Sequence, residues 1–157
     1  VNEDANGNAW FVENIYKVDS QNEAILSLDS LNLNKSVVST KIKSQKFKIL
    51  DNSTINLVEF KSNYLKYTAS NNEDGYAVFS EIFYPYGWKV YVNGTETNFD
   101  NVNVALRGLY LNKGNNTIEC YFSPDVVNKS SYVSLGSSLL LFLLMMSSLF
   151  YNIKNRS

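Results

Sequence analysis

Residues 80–99 decide the fold of this chain, and they read SEIFYPYGWKVYVNGTETNF. The pattern predicts a strand, a proline–glycine corner and then a hairpin, because Asn93-Gly94 suits a type I′ turn, which needs positive φ at both central residues. The register that this turn sets places Trp88 opposite Phe99, a favourable cross-strand aromatic pair. We therefore place this hairpin in the middle of a β-sandwich.

Short strands are predicted on both sides of the hairpin, at the spacing that is typical of a sandwich. They cover residues 10–18, 37–40, 55–60, 64–69, 76–83, 102–106, 109–111 and 117–122, with a break at Arg107-Gly108. Asp19 or Ser20 is expected to cap a short helix over residues 23–28. The predicted fold class is mainly β: an antiparallel sandwich of the jelly-roll or galactose-binding-like type, with a short N-terminal strand–helix element.

The composition excludes several classes of function. Lys and Arg number 14 against 15 Asp and Glu, so the chain lacks the basic surface of a nucleic-acid-binding protein. It has no His, which removes His-based acid–base catalysis and most zinc or copper sites. The single cysteine, Cys120, alternates with Ile118 and Phe122, and we expect it in the core rather than as a nucleophile. We predict no catalytic residue, metal ion or cofactor in this chain.

The last part of the chain predicts a membrane-spanning helix. Residues 130–153 carry no charge and are centred on LLLFLLMM, and at about 1.5 Å of rise per residue such a helix crosses a hydrocarbon core of roughly 30 Å. The alternative, a buried core helix, has no partner helices to bury it. Lys154 and Arg156 follow the span and Lys129 alone precedes it, so the positive-inside rule places the C-terminus in the cytoplasm and the β domain outside.

Four segments follow from these patterns. Residues 1–52 form an N-terminal segment packed on the sandwich, residues 53–124 the sandwich, residues 130–153 the transmembrane helix and residues 154–157 a cytoplasmic tail. The chain begins at Val1 with no initiator Met and no signal-peptide pattern, so we expect it to be a piece of a longer polypeptide.

The feature most like a binding site is a set of aromatic residues near charged ones. Aromatic faces beside polar groups suit sugar rings, which stack on them and form hydrogen bonds at their edges. The candidate substrate-binding residues are Glu81, Tyr84, Trp88, Tyr91, Arg107 and Tyr110. In the structural alternative, Trp88 is core opposite Phe99 and the tyrosines pack the sandwich. Arg107 then forms a fixed ion pair with Glu81 or Glu96.

Several phrases of the sequence occur in the order seen in one family. They are GNAWFV at 7–12, AVFSEIFYP at 77–85, GWKVYVNG at 87–94, LRGLYL at 106–111, a Lys113-Gly114 turn and the final hydrophobic span. This ordered set resembles the C-terminal end of bacterial YfhO-like membrane proteins, over nearly the whole chain. The phrase around Trp88 alone also occurs in galactose-binding-like sandwiches of glycosidases.

The resemblance implies a large multi-pass protein of the glycosyltransferase-C type. Such proteins are similar to enzymes that use polyprenyl-phosphate sugars on the outer face of the membrane to modify cell-envelope polymers. In that architecture the catalytic acid lies in an early extracytoplasmic loop, so no catalytic residue is carried over to this chain. Glu81 and Arg107 match family positions for which the resemblance implies no role.

Two interpretations of the function remain open at this point. In the favoured one, the chain is the extracytoplasmic C-terminal domain and last helix of a YfhO-like protein in the bacterial inner membrane, and it is structural or binds an acceptor. Its partners are then the lipid bilayer, the other transmembrane helices of the same chain and a cell-envelope glycan. In the alternative, it is a membrane-anchored, non-enzymatic sandwich that binds carbohydrate or protein. Many hydrophobic spans encoded upstream of Val1 would favour the first.

Overall fold

The computed structural model describes residues 6–154, except for the side chains of residues 125–129, 131–132, 148–150 and 152–154. The chain divides into two compact units, with the boundary between Phe122 and Ser123. The first unit is built mainly of strands and the second contains one long helix. The predicted class, mainly β followed by a C-terminal helix, is confirmed.

Twelve strands and two helices succeed one another in the described part of the chain. The strands are β1 (Ala9–Val12), β2 (Asn14–Lys17), β3 (Ser36–Ser39), β4 (Gln45–Lys46), β5 (Thr54–Lys61), β6 (Tyr64–Asn71), β7 (Gly75–Ile82), β8 (Trp88–Val92), β9 (Thr95–Thr97), β10 (Asp100–Val102), β11 (Leu106–Leu111) and β12 (Gly114–Phe122). The helices are α1 (Gln21–Leu28) and α2 (Asp125–Lys154). The strands predicted at 55–60, 64–69 and 76–83 correspond to β5, β6 and β7.

Two antiparallel sheets share one hydrophobic core. One has the strand order β1-β7-β11-β10 and the other β5-β6-β12-β8-β9. Their inward residues alternate with outward ones and meet in one buried cluster. The cluster includes Phe11, Leu65, Tyr67, Phe79, Val90, Leu111, Ile118 and Cys120. Two sheets whose inner faces share a core form the layers of a sandwich. The finer expectation of a jelly-roll or galactose-binding-like topology stays a prediction.

A third sheet, which the sequence did not predict, has β2 between β3 and β4. The single strand predicted over residues 10–18 is wrong, because the chain changes sheet at Glu13: β1 pairs with β7, whereas β2 pairs with β3 in parallel. The amides of Glu13 and Asn14 donate to the carbonyl oxygen of Lys35 at 2.8 and 3.0 Å. These two bonds satisfy the backbone donors where the chain leaves the first sheet.

The predicted hairpin turn is confirmed. Asn93 and Gly94 have φ values of 51° and 81°, as a type I′ turn requires. The register is also the predicted one, with Tyr91 opposite Glu96. The turn chemistry of two residues therefore fixed the pairing of β8 with β9.

The predicted cross-strand pair of Trp88 and Phe99 is wrong, because the ladder between β8 and β9 ends at Thr97. Trp88 pairs instead with Phe122 of β12, and the two ring centroids are 5.2 Å apart. The ring of Phe99 packs edge-on against Phe79, at 5.4 Å. Both residues still pack against the shared core.

The break predicted at Arg107-Gly108 is also wrong, since both residues lie inside β11. The turn comes earlier, at Asn103 and Val104, whose φ values are 48° and 69°. Positive φ is unusual for a β-branched residue such as Val104. Asn103 holds the turn in place, because its Oδ1 accepts from the amide of Val38 at 3.0 Å and its own amide donates to the Val38 carbonyl at 2.9 Å.

The predicted cap of α1 is confirmed, whereas the predicted membrane-spanning character of α2 is not supported. Ser20 caps α1, and its hydroxyl accepts from the amide of Glu23 at 3.1 Å, as one of the two predicted caps. In the part of the chain that the structure describes, no helix has both the length and the hydropathy needed to cross a membrane. The transmembrane helix predicted over 130–153 is thus unsupported by α2 as described. Of the predicted tail 154–157, residues 155–157 lie outside the described residues.

Candidate functional site

Arg107 is the residue around which the candidate site is built. It lies in β11 opposite Phe79, next to a register shift, and only 4% of it is exposed. Its Nε donates to the carbonyl oxygen of Ile82 at 3.0 Å. Its Cζ lies 4.6 Å from the ring centroid of Trp88 and 5.4 Å from that of Phe99. The guanidinium is thus held by one hydrogen bond and two cation–π contacts.

A small pocket opens beside this guanidinium. Its volume is about 150 Å³. It is lined by Phe83, Tyr84, Pro85, Trp88, Asn98, Phe99 and Arg107. The segment between β7 and β8 supplies one wall, and β8, the segment after β9 and β11 supply the rest. The pocket therefore combines aromatic faces with one cation and one amide side chain, a common composition for a small polar ligand site.

Glu81 lies on β7 near Arg107, but it does not line the pocket. The hydroxyl of Tyr67, which is fully buried, donates to Glu81 Oε1 at 2.6 Å. Burial raises the pKa of Tyr67 far above its usual range, and the Glu81 carboxylate raises it further. No ion pair within 4.0 Å joins Arg107 to Glu81 or Glu96 among the described residues, so the fixed ion pair of the structural alternative is wrong.

Two buried polar atoms of this group have no hydrogen-bond partner in the described part of the chain: Arg107 Nη1 and Glu81 Oε2. Burial lowers the pKa of Arg107, and the charge of Glu81 opposes that shift. A buried N–H or carboxylate oxygen without a partner costs about 1–3 kcal/mol. Arg107 lines the pocket, so its Nη1 is a free donor that a ligand oxygen or a water molecule can satisfy.

The structure brings three of the six candidate residues, Tyr84, Trp88 and Arg107, to one pocket. Tyr91 lies elsewhere, packed edge-on against Tyr121 at 5.9 Å. Tyr110 lies against Phe47 at 5.4 Å, and its hydroxyl accepts from the side chain of Gln45. Sequence proximity grouped these residues, but alternation along β8 and β11 sends them to different faces.

Sequence reasoning missed Asn98, Phe83 and Tyr67 as parts of the group. Alternation along residues 64–69 places Tyr67 on the same face as Leu65 and Ala69, but it does not indicate the hydrogen bond to Glu81, which joins two sheets. Cys120 is buried as predicted, with 1% exposed. Its burial raises the pKa of the thiol to about 12, which keeps it protonated near neutral pH. This is the state of a packed core cysteine.

The family model of the bacterial membrane protein YfhO matches residues 14–134. That match covers more than half of the chain. The chain belongs to the YfhO family of bacterial membrane proteins. The match includes β2 through β12, every residue that lines the pocket and the first part of α2. No match was found among curated proteins or among solved structures.

Proposed function

We propose that this chain is the extracytoplasmic C-terminal portion of a YfhO-like integral membrane protein, with α2 as its last membrane helix and its C-terminus in the cytoplasm. The observation that carries the proposal is the family match, which continues from the sheets into α2. A second support is the surface of α2, where the apolar side chains from Leu139 to Met145 are 58–67% exposed. A stretch of exposed apolar side chains needs a non-aqueous partner, and lipid is one.

The whole protein is, in this proposal, a glycosyltransferase that uses polyprenyl-phosphate sugars to modify cell-envelope glycopolymers. The portion described here is structural or binds the acceptor, and the catalytic groups lie in other parts of the protein. What supports this division is the chemistry of the pocket. Arg107 holds a charge, and the rings of Tyr84 and Trp88 offer flat faces, which is suited to binding rather than to proton transfer.

The pocket is then a subsite for one unit of the acceptor glycan. A sugar ring stacks on Tyr84, which is 52% exposed, and one of its oxygens accepts from Arg107 Nη1. The volume of about 150 Å³ limits the subsite to about one sugar unit. Binding of this kind stabilises the ground state and the transition state equally, so losing it raises KM and changes kcat little.

The variant Tyr84→Ser tests this subsite in the full-length protein. We expect its KM for the acceptor to rise several-fold with kcat little changed, because the stacking face is lost while the exposed site tolerates a small residue. Glycan transfer in isolated membranes, at varied acceptor concentration, measures both constants. The matched control is Tyr121→Ser on the outer face of β12, which should keep the wild-type KM. An unchanged KM in Tyr84→Ser would reject the subsite.

A further inference from the structure

One end of the β unit gathers the connection between β5 and β6, the connection between β7 and β8, and the end of β12. The register sets this arrangement: Phe122, the last residue of β12, pairs with Trp88, the first residue of β8. The amide of Phe122 also donates to the carbonyl oxygen of Asn63, in the turn between β5 and β6, at 2.9 Å. We call this the aromatic end.

The aromatic end exposes large apolar side chains to an unusual degree. Phe60 is 70% exposed, Ile82 71%, Tyr84 52% and Tyr86 71%. Each lies at the end of β5 or β7 or in the connection that follows β7. The side chain of Lys61, next to them, is 64% exposed. Apolar groups clustered at one end, with lysine beside them, mark a contact surface rather than scattered exposure.

The opposite end of the same sheets has the reverse character, and we call it the polar end. It holds the connections from β6 to β7, from β8 to β9 and from β11 to β12. Their residues are Asn72, Glu73, Asp74, Asn93, Gly94, Asn112 and Lys113. The two ends of the β unit therefore differ in polarity along the strand axis. Exposure of both ends to water would not favour such a difference.

The chain leaves the β unit at the aromatic end. Only Ser123 and Pro124 separate Phe122 from the start of α2 at Asp125. At about 3.5 Å per residue these three steps span at most about 10 Å. The covalent connection therefore ties this end, and not the polar end, to the first turn of α2.

We propose that the aromatic end rests on the surface of the bilayer, with Phe60 and Tyr86 among the lipid headgroups. This inference rests on the proposed function, in which α2 lies in the membrane. Tyrosine suits that depth because its ring is apolar and its hydroxyl is polar. The exposed Lys89 at the same end can extend toward lipid phosphates, whereas the ammonium group of Lys61 is ion-paired with Glu59.

Fluorescence quenching tests the contact directly in the full chain, reconstituted in nanodiscs of phosphatidylethanolamine and phosphatidylglycerol. A fluorophore is attached at Phe60→Cys, and in a matched sample at Glu96→Cys near the polar end. Native Cys120 is buried and does not compete for the label. Lipids that carry a headgroup nitroxide should quench the fluorophore at position 60 several-fold more than at position 96. Equal quenching at both positions overturns the inference.

A second variant asks whether the aromatic side chains themselves hold the contact. Tyr86→Ser should reduce the quenching at Phe60→Cys, whereas Tyr110→Ser, at the end of β11 next to the polar end, should leave it unchanged. An equal effect of both variants also overturns the inference. Size-exclusion chromatography separates the two proposals: a chain that does not stay with the nanodiscs contradicts the membrane role of α2 itself. A chain that stays with them but shows equal quenching contradicts only the contact at the aromatic end.

Discussion

Arg107 shows how one buried charge can organise the end of a β core. A guanidinium that is 96% removed from water needs compensation, and this one has the Ile82 carbonyl, two aromatic faces and the nearby charge of Glu81. The sequence placed Arg107 among the candidate residues, but as part of a turn. Its hydrogen-bond and cation–π partners could not be predicted, because they come from β7, from β8 and from the segment after β9.

The variant Arg107→Lys should destabilise the protein although the charge is kept. Lysine cannot stack a planar group on Trp88, and it loses the fixed Nε donor to the Ile82 carbonyl, so we expect the free energy of unfolding to fall by about 2 kcal/mol. Urea denaturation of the full chain in mild detergent, followed by circular dichroism of the strands, measures it. Lys89→Ala, at an exposed position, is the control. A change in Arg107→Lys no larger than in the control would contradict this role.

Cys120 gives a prediction about pH. Burial raises the pKa of its thiol from the ordinary value of 9.0 to about 12. The native state therefore holds the thiol proton more tightly than the unfolded chain does. The stability that this proton contributes is complete below about pH 9 and is lost as the pH rises toward 12.

Two measurements check that behaviour. In native protein at pH 8 the thiol should not react with a disulfide reagent, and it should react at once in urea. The free energy of unfolding should also fall less steeply above pH 9 in Cys120→Ala than in the wild type. A thiol that reacts readily in the native protein would show that Cys120 is not enclosed as described.

At the scale of elements, the features that could be predicted are mostly those set by a few adjacent residues at a turn or a helix start. Asn93-Gly94 set both a turn and a register, and Ser20 set the start of α1, since each depends on a few adjacent residues. The split at Glu13 was not predictable, because the polar pair Glu13-Asn14 inside an aromatic and β-branched run does not say which sheet each half will join. The hydrogen bonds that divide it come from Lys35, far along the chain.

The prediction of a break at Arg107-Gly108 is wrong for a different reason, because it rested on the glycine, and glycine often marks a turn. Here Gly108 is needed for close packing: a Cβ at this position would collide with the phenol ring of Tyr76. That ring is itself fixed, because its hydroxyl donates to Asp100 at 3.1 Å and it is fully buried. The glycine therefore belongs to the strand and makes room for a tyrosine on its neighbour.

The variant Gly108→Ala should accordingly lower the free energy of unfolding by about 2 kcal/mol, since overpacking of a rigid site forces the ring or the backbone to move. Thermal or urea unfolding of the full chain measures the change. Gly136→Ala in α2 is a useful comparison, because among the described residues no atom beyond the adjacent helical backbone lies within 4 Å of a Cβ added there. Equal stability of Gly108→Ala and the wild type would mean that β7 and β11 are not in the register described.

At the scale of the whole molecule, the chain contains a β unit of two layers and a third sheet, and a helix with exposed apolar side chains. It belongs to a family of bacterial membrane proteins. The sequence predicted most strands of the two layers, and it predicted the family. It could not predict the third sheet, because that sheet depends on pairings between distant strands. The separation of Tyr91 and Tyr110 from the pocket follows instead from alternation along β8 and β11.

The side of the membrane on which the β unit stands is the central claim, and cysteine labelling in intact cells tests it most directly. The full-length protein with Glu96→Cys, an exposed position, is treated with a membrane-impermeant maleimide before and after lysis. The wild type is the control, since Cys120 is buried. We expect Glu96→Cys to be labelled as fully in intact cells as in lysed ones. Labelling that occurs only after lysis would contradict it.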